Sequence, residues 1–227
     1  VLIGDMTEVN EDDYRKVIRT EIHFLYFQMI EALFEIIFAV IKKDNRDLWV
    51  ALSFSNWSDN YNKITSLSDN SELFTNKIKT IINGKNIEIS ILRWVFYFIY
   101  PSKISDSEWE VNLKKIKELL LVFAKDFSCR DEYNAYKHSL RFYNSAFSMS
   151  IGVAGSNETY NLGSSLDSIT YLEKQMMKDG ENYKPTGYVL RTTKPFDFER
   201  DFNCCLIIHS MIKNIIDTRK HTLLPEL

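Results

Sequence analysis

Residues 11–43 read EDDYRKVIRTEIHFLYFQMIEALFEIIFAVIKK. Acidic residues open this stretch, apolar residues recur at helical spacing along it, and two lysines close it. Acid at the start and base at the end both suit the helix dipole, so the pattern predicts one long helix. Glu31 and Glu35 would each cost at least ~2.5 kcal/mol at the centre of a bilayer. We therefore expect a core helix and no membrane association.

Helical periodicity continues along most of the chain. It predicts further helices over roughly residues 47–52, 72–82, 87–100, 107–127, 130–146 and 198–218. The segment 87–100 is apolar nearly all round, so a buried strand is the alternative there, and its length favours a helix. Residues 53–71 are rich in Ser, Asn and Asp, which predicts a loop with at most one helical turn.

The pattern changes after residue 146. Residues 147–153 look extended, and residues 154–166 form a Gly-, Ser- and Asn-rich loop. Residues 168–175 and 187–193 then alternate apolar with polar side chains, and turn-forming residues lie between them. This pattern predicts a small antiparallel sheet of two or three strands. The expected fold is mainly α, a single domain over 1–227: a helical bundle (1–146), a small β insertion (147–196) and a C-terminal helix (197–227) that returns to the bundle.

Composition narrows the class of protein. With 227 residues and 45% apolar residues, the chain can bury a sizeable core. Lys and Arg number 28 against 31 Asp and Glu, so the whole protein is not a polycation that binds any nucleic acid. The three cysteines, Cys129, Cys204 and Cys205, are odd in number and two are adjacent. That pattern makes a poor disulfide framework, so we expect a reducing cytoplasm.

One segment carries spacing typical of a functional site. Residues 130–147 read RDEYNAYKHSLRFYNSAF. On a helical wheel, one stripe within about 80° holds cationic and hydrogen-bonding side chains: Arg130, Asn134, His138, Arg141 and Ser145. A histidine beside arginines, with Lys137 next to it, suits an anion or phosphate site, because His transfers protons near neutral pH and Arg holds phosphate through paired donors. The polar face of an ordinary surface helix gives the same pattern, with His138 solvated or at the edge of the core.

The core Asn134-Ala-Tyr-Lys-His138, late in a helical chain, resembles the motif of the HEPN superfamily of bacterial defence and toxin proteins. That motif is an Arg followed by a polar residue, with a His several residues later. Asn134 matches the polar position and His138 the histidine. Tyr133 stands where the family has Arg, and Arg130 lies one turn earlier.

The resemblance implies that the protein binds RNA, forms a homodimer and acts as a metal-independent endoribonuclease. In that chemistry His138 acts as base or acid, Arg130 or Arg141 stabilises charge on the phosphate, and Asn134 orients the His or the phosphate. Lys137 and Ser145 would contact the substrate. The alternative is a non-catalytic interaction protein that dimerises through its helices and meets a protein partner through the β insertion.

Other candidate sites are weaker. Cys205 and His209 have metal-ligand spacing, but two ligands do not make a site, and a buried structural Cys is expected. Glu31 and Glu35 form a polar stripe without the Glu-x-x-His motifs of di-iron proteins. Only the amino-acid composition supports a small-molecule pocket lined by Trp94, Trp109 and tyrosines. No nucleotide-binding or hydrolase signature occurs, so neither a cofactor nor a metal is expected.

Overall fold

The computed structural model describes residues 11–42, 48–69, 72–82, 85–97, 106–137, 142–152, 159–179 and 182–223. The fold is mainly α with two small antiparallel sheets, which confirms the predicted class. The helices are α1 Glu11–Ile41, α2 Leu48–Ser53, α3 Trp57–Asp69, α4 Glu72–Thr75, α5 Ile91–Phe96, α6 Asp106–Ser128, α7 Asp131–Lys137 and α8 Phe198–Leu223. The strands are β1 Lys77–Ile82, β2 Lys85–Ser90, β3 Phe142–Gly152, β4 Thr159–Asp179 and β5 Asn182–Pro195.

The longest helices agree with the sequence prediction. α1 begins with Glu11, Asp12 and Asp13 in its first turn, as the helix dipole favours, and it ends within two residues of the predicted position. The short helix α2 and the long helices α6 and α8 also form where the apolar periodicity placed them. For α1, α6 and α8, apolar periodicity over many residues was therefore a sufficient signal.

The predictions for residues 53–82 were wrong except at 72–75, where the first turn of the expected helix forms as α4. Most of the expected loop at 53–71 is helix α3, and most of the expected helix at 72–82 is strand β1. β1 pairs antiparallel with β2, from Lys77 opposite Ser90 to Ile82 opposite Lys85. Asn83 and Gly84 separate the strands in the sequence. Asn-Gly is a strong hairpin signal, which favours two paired strands over the predicted helix.

The single helix or strand predicted at 87–100 is divided between two elements. Its start lies in β2 and its centre is the short helix α5. Ser90 ends the strand and caps the helix, because its hydroxyl accepts a hydrogen bond from the backbone N–H of Arg93 at 3.2 Å. Ser90 therefore both ends β2 and caps the first turn of α5.

The second sheet is three-stranded with the order β3-β4-β5, and all its strands are antiparallel. Two boundaries differ from the prediction. The helix expected to continue to Ala146 ends at Lys137, and β3 begins at Phe142. The part of the expected loop at 159–166 belongs to β4, which pairs with β3 on one side and β5 on the other. Pairing between distant segments decided both changes, and a local pattern does not contain that information.

The chain divides into two compact units, each described by itself below. The first comprises Val1–Phe27 and Arg130–Cys204, and the second comprises Gln28–Cys129 and Cys205–Leu227. The division falls within α1 and within α8. The first unit contains the three-stranded sheet, α7, the first part of α1 and the first part of α8, and its core is aromatic. Fully buried rings there include Phe24, Tyr26 and Tyr133.

The second unit packs α3 and α6 together around buried aliphatic and aromatic side chains, among them Phe34, Phe123 and Phe127. Side chains from α8 bond the backbone of the α5 segment. Asn214 donates from Nδ2 to the carbonyl of Phe96 at 2.7 Å, and Arg219 donates to the carbonyl of Trp94 at 2.5 Å. These bonds satisfy carbonyls near the end of α5 that have no partner within that helix.

By length and composition, α1 could cross a membrane. Its most apolar 18-residue window has a mean hydropathy of 1.9, and 56% of that window is buried inside the protein. The core helix of a globular protein and a signal sequence both meet the same criterion.

Candidate functional site

Helix α7 carries the described part of the predicted motif. Its first turn holds Asp131 and Glu132, where negative charge suits the helix dipole. Glu132 and Tyr133 are each 1% exposed, whereas Asn134 is half-buried and Lys137 is exposed. The helix is thus fixed by one buried side and presents the polar motif residues on the other.

The predicted site residues are distributed as follows. Arg130 is only 2% exposed, and its guanidinium lies over the Tyr133 ring, 5.9 Å from the ring centroid. The Lys137 ammonium lies 4.7 Å from the centroid of the same ring. Asn134 donates its backbone N–H to the Arg130 carbonyl at 3.0 Å. His138 and Arg141 lie outside the described residues.

Ser145 is not on the predicted stripe, because it lies on strand β3 and not on a helix. Its hydroxyl accepts a hydrogen bond from the Thr170 hydroxyl at 2.8 Å, and Thr170 is also 2.7 Å from the Thr193 hydroxyl. Ser168 donates to the Ser145 carbonyl. The structure therefore places Ser145 in a hydroxyl network that joins the three strands, so the helical stripe that linked it to Arg130 and Asn134 does not form.

A buried histidine lies in the first unit. His23 on α1 is 7% exposed. Its Nδ1 is 2.6 Å from Oδ2 of Asp201 on α8, a short hydrogen bond, and its Nε2 is 3.7 Å from Oε1 of Glu132 on α7. Both carboxylates are about 1% exposed. One imidazole thus faces two buried acids through its two nitrogens.

Lys194 on β5 completes this group, which we call the His23 cluster: His23, Glu132, Lys194 and Asp201. The Lys194 ammonium donates to both Glu132 oxygens, at 2.8 and 3.0 Å, while its side chain stays 41% exposed. With His23 protonated, two positive and two negative charges balance. A balanced, hydrogen-bonded set is the form in which buried charge is tolerated.

Two pKa shifts agree with this arrangement. Burial lowers the pKa of His23, but the hydrogen bond and charge of Asp201, together with nearby Glu132, raise it by more, so the pKa lies above 6.5. Burial raises the pKa of Glu132, but His23 and Lys194 lower it by more, so it lies below its usual 4.5. Both shifts favour the charged forms.

Aromatic rings enclose the imidazole. Phe196 stacks on it with centroids 4.5 Å apart, and Phe27 meets it edge-on at 5.2 Å. A second ion pair lies in the same unit, since Arg19 on α1 is 3.2 Å from Asp167 on β4 and its guanidinium covers the Phe198 ring. Because both nitrogens of His23 face carboxylates and rings cover its faces, the cluster binds α1, α7, β5 and α8 together and is not open to a substrate.

Local sequence patterns do not predict this cluster. The two carboxylates that contact His23 lie 109 and 178 positions further along the chain, on α7 and α8. One signal was present: His23 is a polar residue within the apolar run His23-Phe-Leu-Tyr-Phe27 of a core helix. Such a residue needs a buried partner.

Two other predicted features lie in the second unit. Cys205 is buried, as expected for a structural cysteine, and His209 is exposed. Trp109 is also buried, and the edge of Tyr97 packs on it with centroids 4.1 Å apart. Within the described ranges, no group of three or more His, Cys, Asp or Glu side chains is arranged to hold a metal ion.

Comparison with known proteins adds no relative. No family model matches the chain, and neither a curated protein nor a solved structure matches it.

Proposed function

We propose that the chain is a cytoplasmic, HEPN-like protein that binds RNA through the segment from Asn134 to Arg141 and cleaves it without a metal. In this proposal the helices form a bundle, the three-stranded sheet is an insertion before the last helix, and the protein acts as a homodimer. The observation that supports it is the setting of α7. Buried Glu132 and Tyr133 hold the helix, while Asn134 and Lys137 reach solvent directly before His138 in the sequence.

The cleavage step needs no external reactant. The ribose 2′-hydroxyl attacks the adjacent phosphorus, the bond from phosphorus to the 5′ oxygen breaks, and the products are a 2′,3′-cyclic phosphate and a 5′-hydroxyl. His138 accepts the proton of the 2′-hydroxyl or donates one to the leaving 5′ oxygen. Arg141 stabilises the charge that gathers on the phosphate oxygens, and Asn134 orients the phosphate or the histidine.

Arg130 takes a different part in this scheme. Its guanidinium is buried against Tyr133, so it is a positioning residue that acts through the start of α7. Lys137 is exposed and supplies a direct phosphate contact. Ser145, bonded within the sheet, has no assigned contact with RNA.

Binding of a fluorescein-labelled single-stranded RNA, followed by anisotropy, tests the first half of the proposal. Lys137→Gln and Arg141→Gln are each expected to weaken binding and to make its salt dependence shallower by about one phosphate contact. Lys213→Gln, an exposed lysine paired with Asp217 on α8, is the matched control and should change neither quantity. Equal weakening by all three variants, or no binding by the wild type, would count against an RNA site at this segment.

A non-catalytic interaction protein is the second candidate. It is favoured by exposed apolar side chains on the three-stranded sheet, among them Leu172, Tyr188 and Val189. If the protein binds RNA without cleaving it, or neither binds nor cleaves RNA, we would assign it to this second class.

A further inference from the structure

The three-stranded sheet has a packed face and an outer face. Phe142 at the start of β3 packs against Phe24 and Tyr136, with ring centroids 5.0 and 5.5 Å apart. On β4, Ile169 and Tyr171 are 1% and 4% exposed. Successive side chains on a strand point to opposite faces, so the residues that alternate with these buried ones belong to the outer face.

The strand register aligns the exposed outer residues in successive rows across the sheet. We call this surface the outer sheet face, and its exposed side chains are Tyr143, Leu172, Lys174, Val189 and Arg191. Tyr143 lies in the first row and is 46% exposed, and Lys174 lies in the third row. Rows are two residues apart along each strand, so the surface is about 13 Å long.

The outer sheet face is positively charged. Its charged residues are Arg191 and Lys174, and up to the register shift after Lys174 no acidic residue occupies an outer position. Glu173 belongs to the packed face, where it accepts a hydrogen bond from Thr192 at 2.8 Å. Within the described part of the chain, neither Arg191 nor Lys174 forms an ion pair. The whole chain has a net charge of -3, so this face differs in sign from the protein as a whole and attracts anions.

Tyr143 and Arg191 present two planar groups on this face. The Arg191 guanidinium reaches across β4 and lies 5.5 Å from the centroid of the Tyr143 ring. Tyrosine rings and arginine planes are groups on which unpaired nucleic-acid bases stack. An exposed ring beside cations that have no acidic partner is the combination with which proteins bind single strands.

The place of this surface in the chain favours RNA over an acidic peptide. β3 begins at Phe142, directly after Arg141 in the segment that we propose to bind the cleaved phosphate. Tyr143 is two residues from Arg141, at most about 7 Å along the chain. RNA held at that segment therefore has neighbouring nucleotides within reach of the Tyr143 ring.

We propose that the outer sheet face binds single-stranded RNA beside the cleaved bond. A base stacks on the Tyr143 ring and the Arg191 guanidinium, and Arg191 and Lys174 contact phosphates. Leu172 and Val189 supply apolar contacts between these groups. The choice of RNA rests on the proposed function, and the inference adds that the substrate is unpaired, because the bases of a duplex are already stacked on one another.

The anisotropy of a fluorescein-labelled single-stranded oligouridine, titrated with the full chain, tests the stacking contact. Tyr143→Ser should weaken binding by about fivefold or more, the loss expected for one stacked base. Tyr143→Phe should bind as the wild type does, because it keeps the ring. Tyr14→Ser is the matched control and should leave the affinity unchanged, since Tyr14 is 59% exposed on α1.

The same titration at several salt concentrations tests the phosphate contacts. Lys174→Gln and Arg191→Gln should each make the salt dependence shallower by about one phosphate contact. Lys125→Gln, an exposed lysine on α6, is the control and should not change it. Duplex RNA should bind more weakly than the single strand, and polyglutamate at equal charge should displace the single strand less well than unlabelled RNA does.

The pattern of losses separates this surface from the proposed cleavage site. Losses confined to Lys137→Gln and Arg141→Gln would overturn the outer sheet face alone, and losses confined to Tyr143→Ser and Lys174→Gln would overturn the other site alone. No RNA binding by the wild type would overturn both. Equal binding of duplex RNA, or equal displacement by polyglutamate, would also overturn this proposal. Circular dichroism verifies folding, and Lys174→Gln alone decides if Tyr143→Ser is unfolded.

Discussion

The His23 cluster makes the stability of the protein depend on pH in a defined direction. The folded state raises the pKa of His23 above its usual 6.5. The stabilisation from the protonated imidazole is therefore complete below pH 6.5 and is lost as the pH rises through the folded pKa. For one proton, the free energy of unfolding should fall by up to about 1.4 kcal/mol per pH unit in that window.

Replacement of His23 by Phe measures how much the imidazole contributes to the free energy of unfolding. His23→Phe leaves Asp201 and Glu132 about 1% exposed, with Arg200 3.6 Å from Asp201 and Lys194 still on Glu132. Loss of one partner from a buried ion pair costs about 3–5 kcal/mol. The double variant His23→Phe/Asp201→Leu should recover much of this, because it removes the stranded charge together with its partner.

Urea denaturation at pH 6 and pH 8, followed by tryptophan fluorescence, measures both quantities. The wild type should be more stable at pH 6 than at pH 8, and His23→Phe should lose that difference. His209→Phe, an exposed histidine on α8, is the control and should stay within about 0.5 kcal/mol of the wild type. A wild type that gains stability from pH 6 to pH 8, or a His23→Phe variant that keeps the wild-type slope, would refute the account of the cluster.

Two further predictions concern groups that join elements of the first unit. Lys194→Met should destabilise the protein by about 1 kcal/mol, less than His23→Phe, because its half-exposed ammonium is screened by solvent; chemical denaturation beside Lys213→Met measures the difference. Thr170→Val should cost about 1 kcal/mol, since it removes a fully buried hydroxyl that bonds Ser145 and Thr193, and amide exchange in β3 and β5 should speed up. Wild-type stability in either variant would contradict the contact assigned to it.

The sequence predicted the parts of the fold that depend on long, local patterns. The apolar periodicity of α1, α6 and α8 extends over more than 20 residues in each, so neighbouring residues alone specify a helix. Alternating apolar and polar residues, with turn residues between them, predict antiparallel strands, and the described residues form two small antiparallel sheets.

The predictions that failed concern residues whose structure depends on partners distant in the chain. Ser145 fits the helical wheel, but pairing of Tyr143 with Thr170 and of Ser145 with Ser168 on β4 makes the segment a strand. The site was affected in the same way. His23 is held by Asp201 on α8 and Glu132 on α7, and Arg130 is buried against the Tyr133 ring. Tertiary contacts overrode local preference in each case.

RNA cleavage in the presence of EDTA tests the central claim most directly. The wild type is compared with His138→Ala, and His209→Ala serves as an exposed-histidine control. The account predicts that the wild type and His209→Ala cleave RNA and leave 2′,3′-cyclic phosphate ends, while His138→Ala loses at least a hundredfold in rate, as expected for a general acid or base. Cleavage by His138→Ala at the wild-type rate, or no cleavage by any of the three proteins, would contradict it.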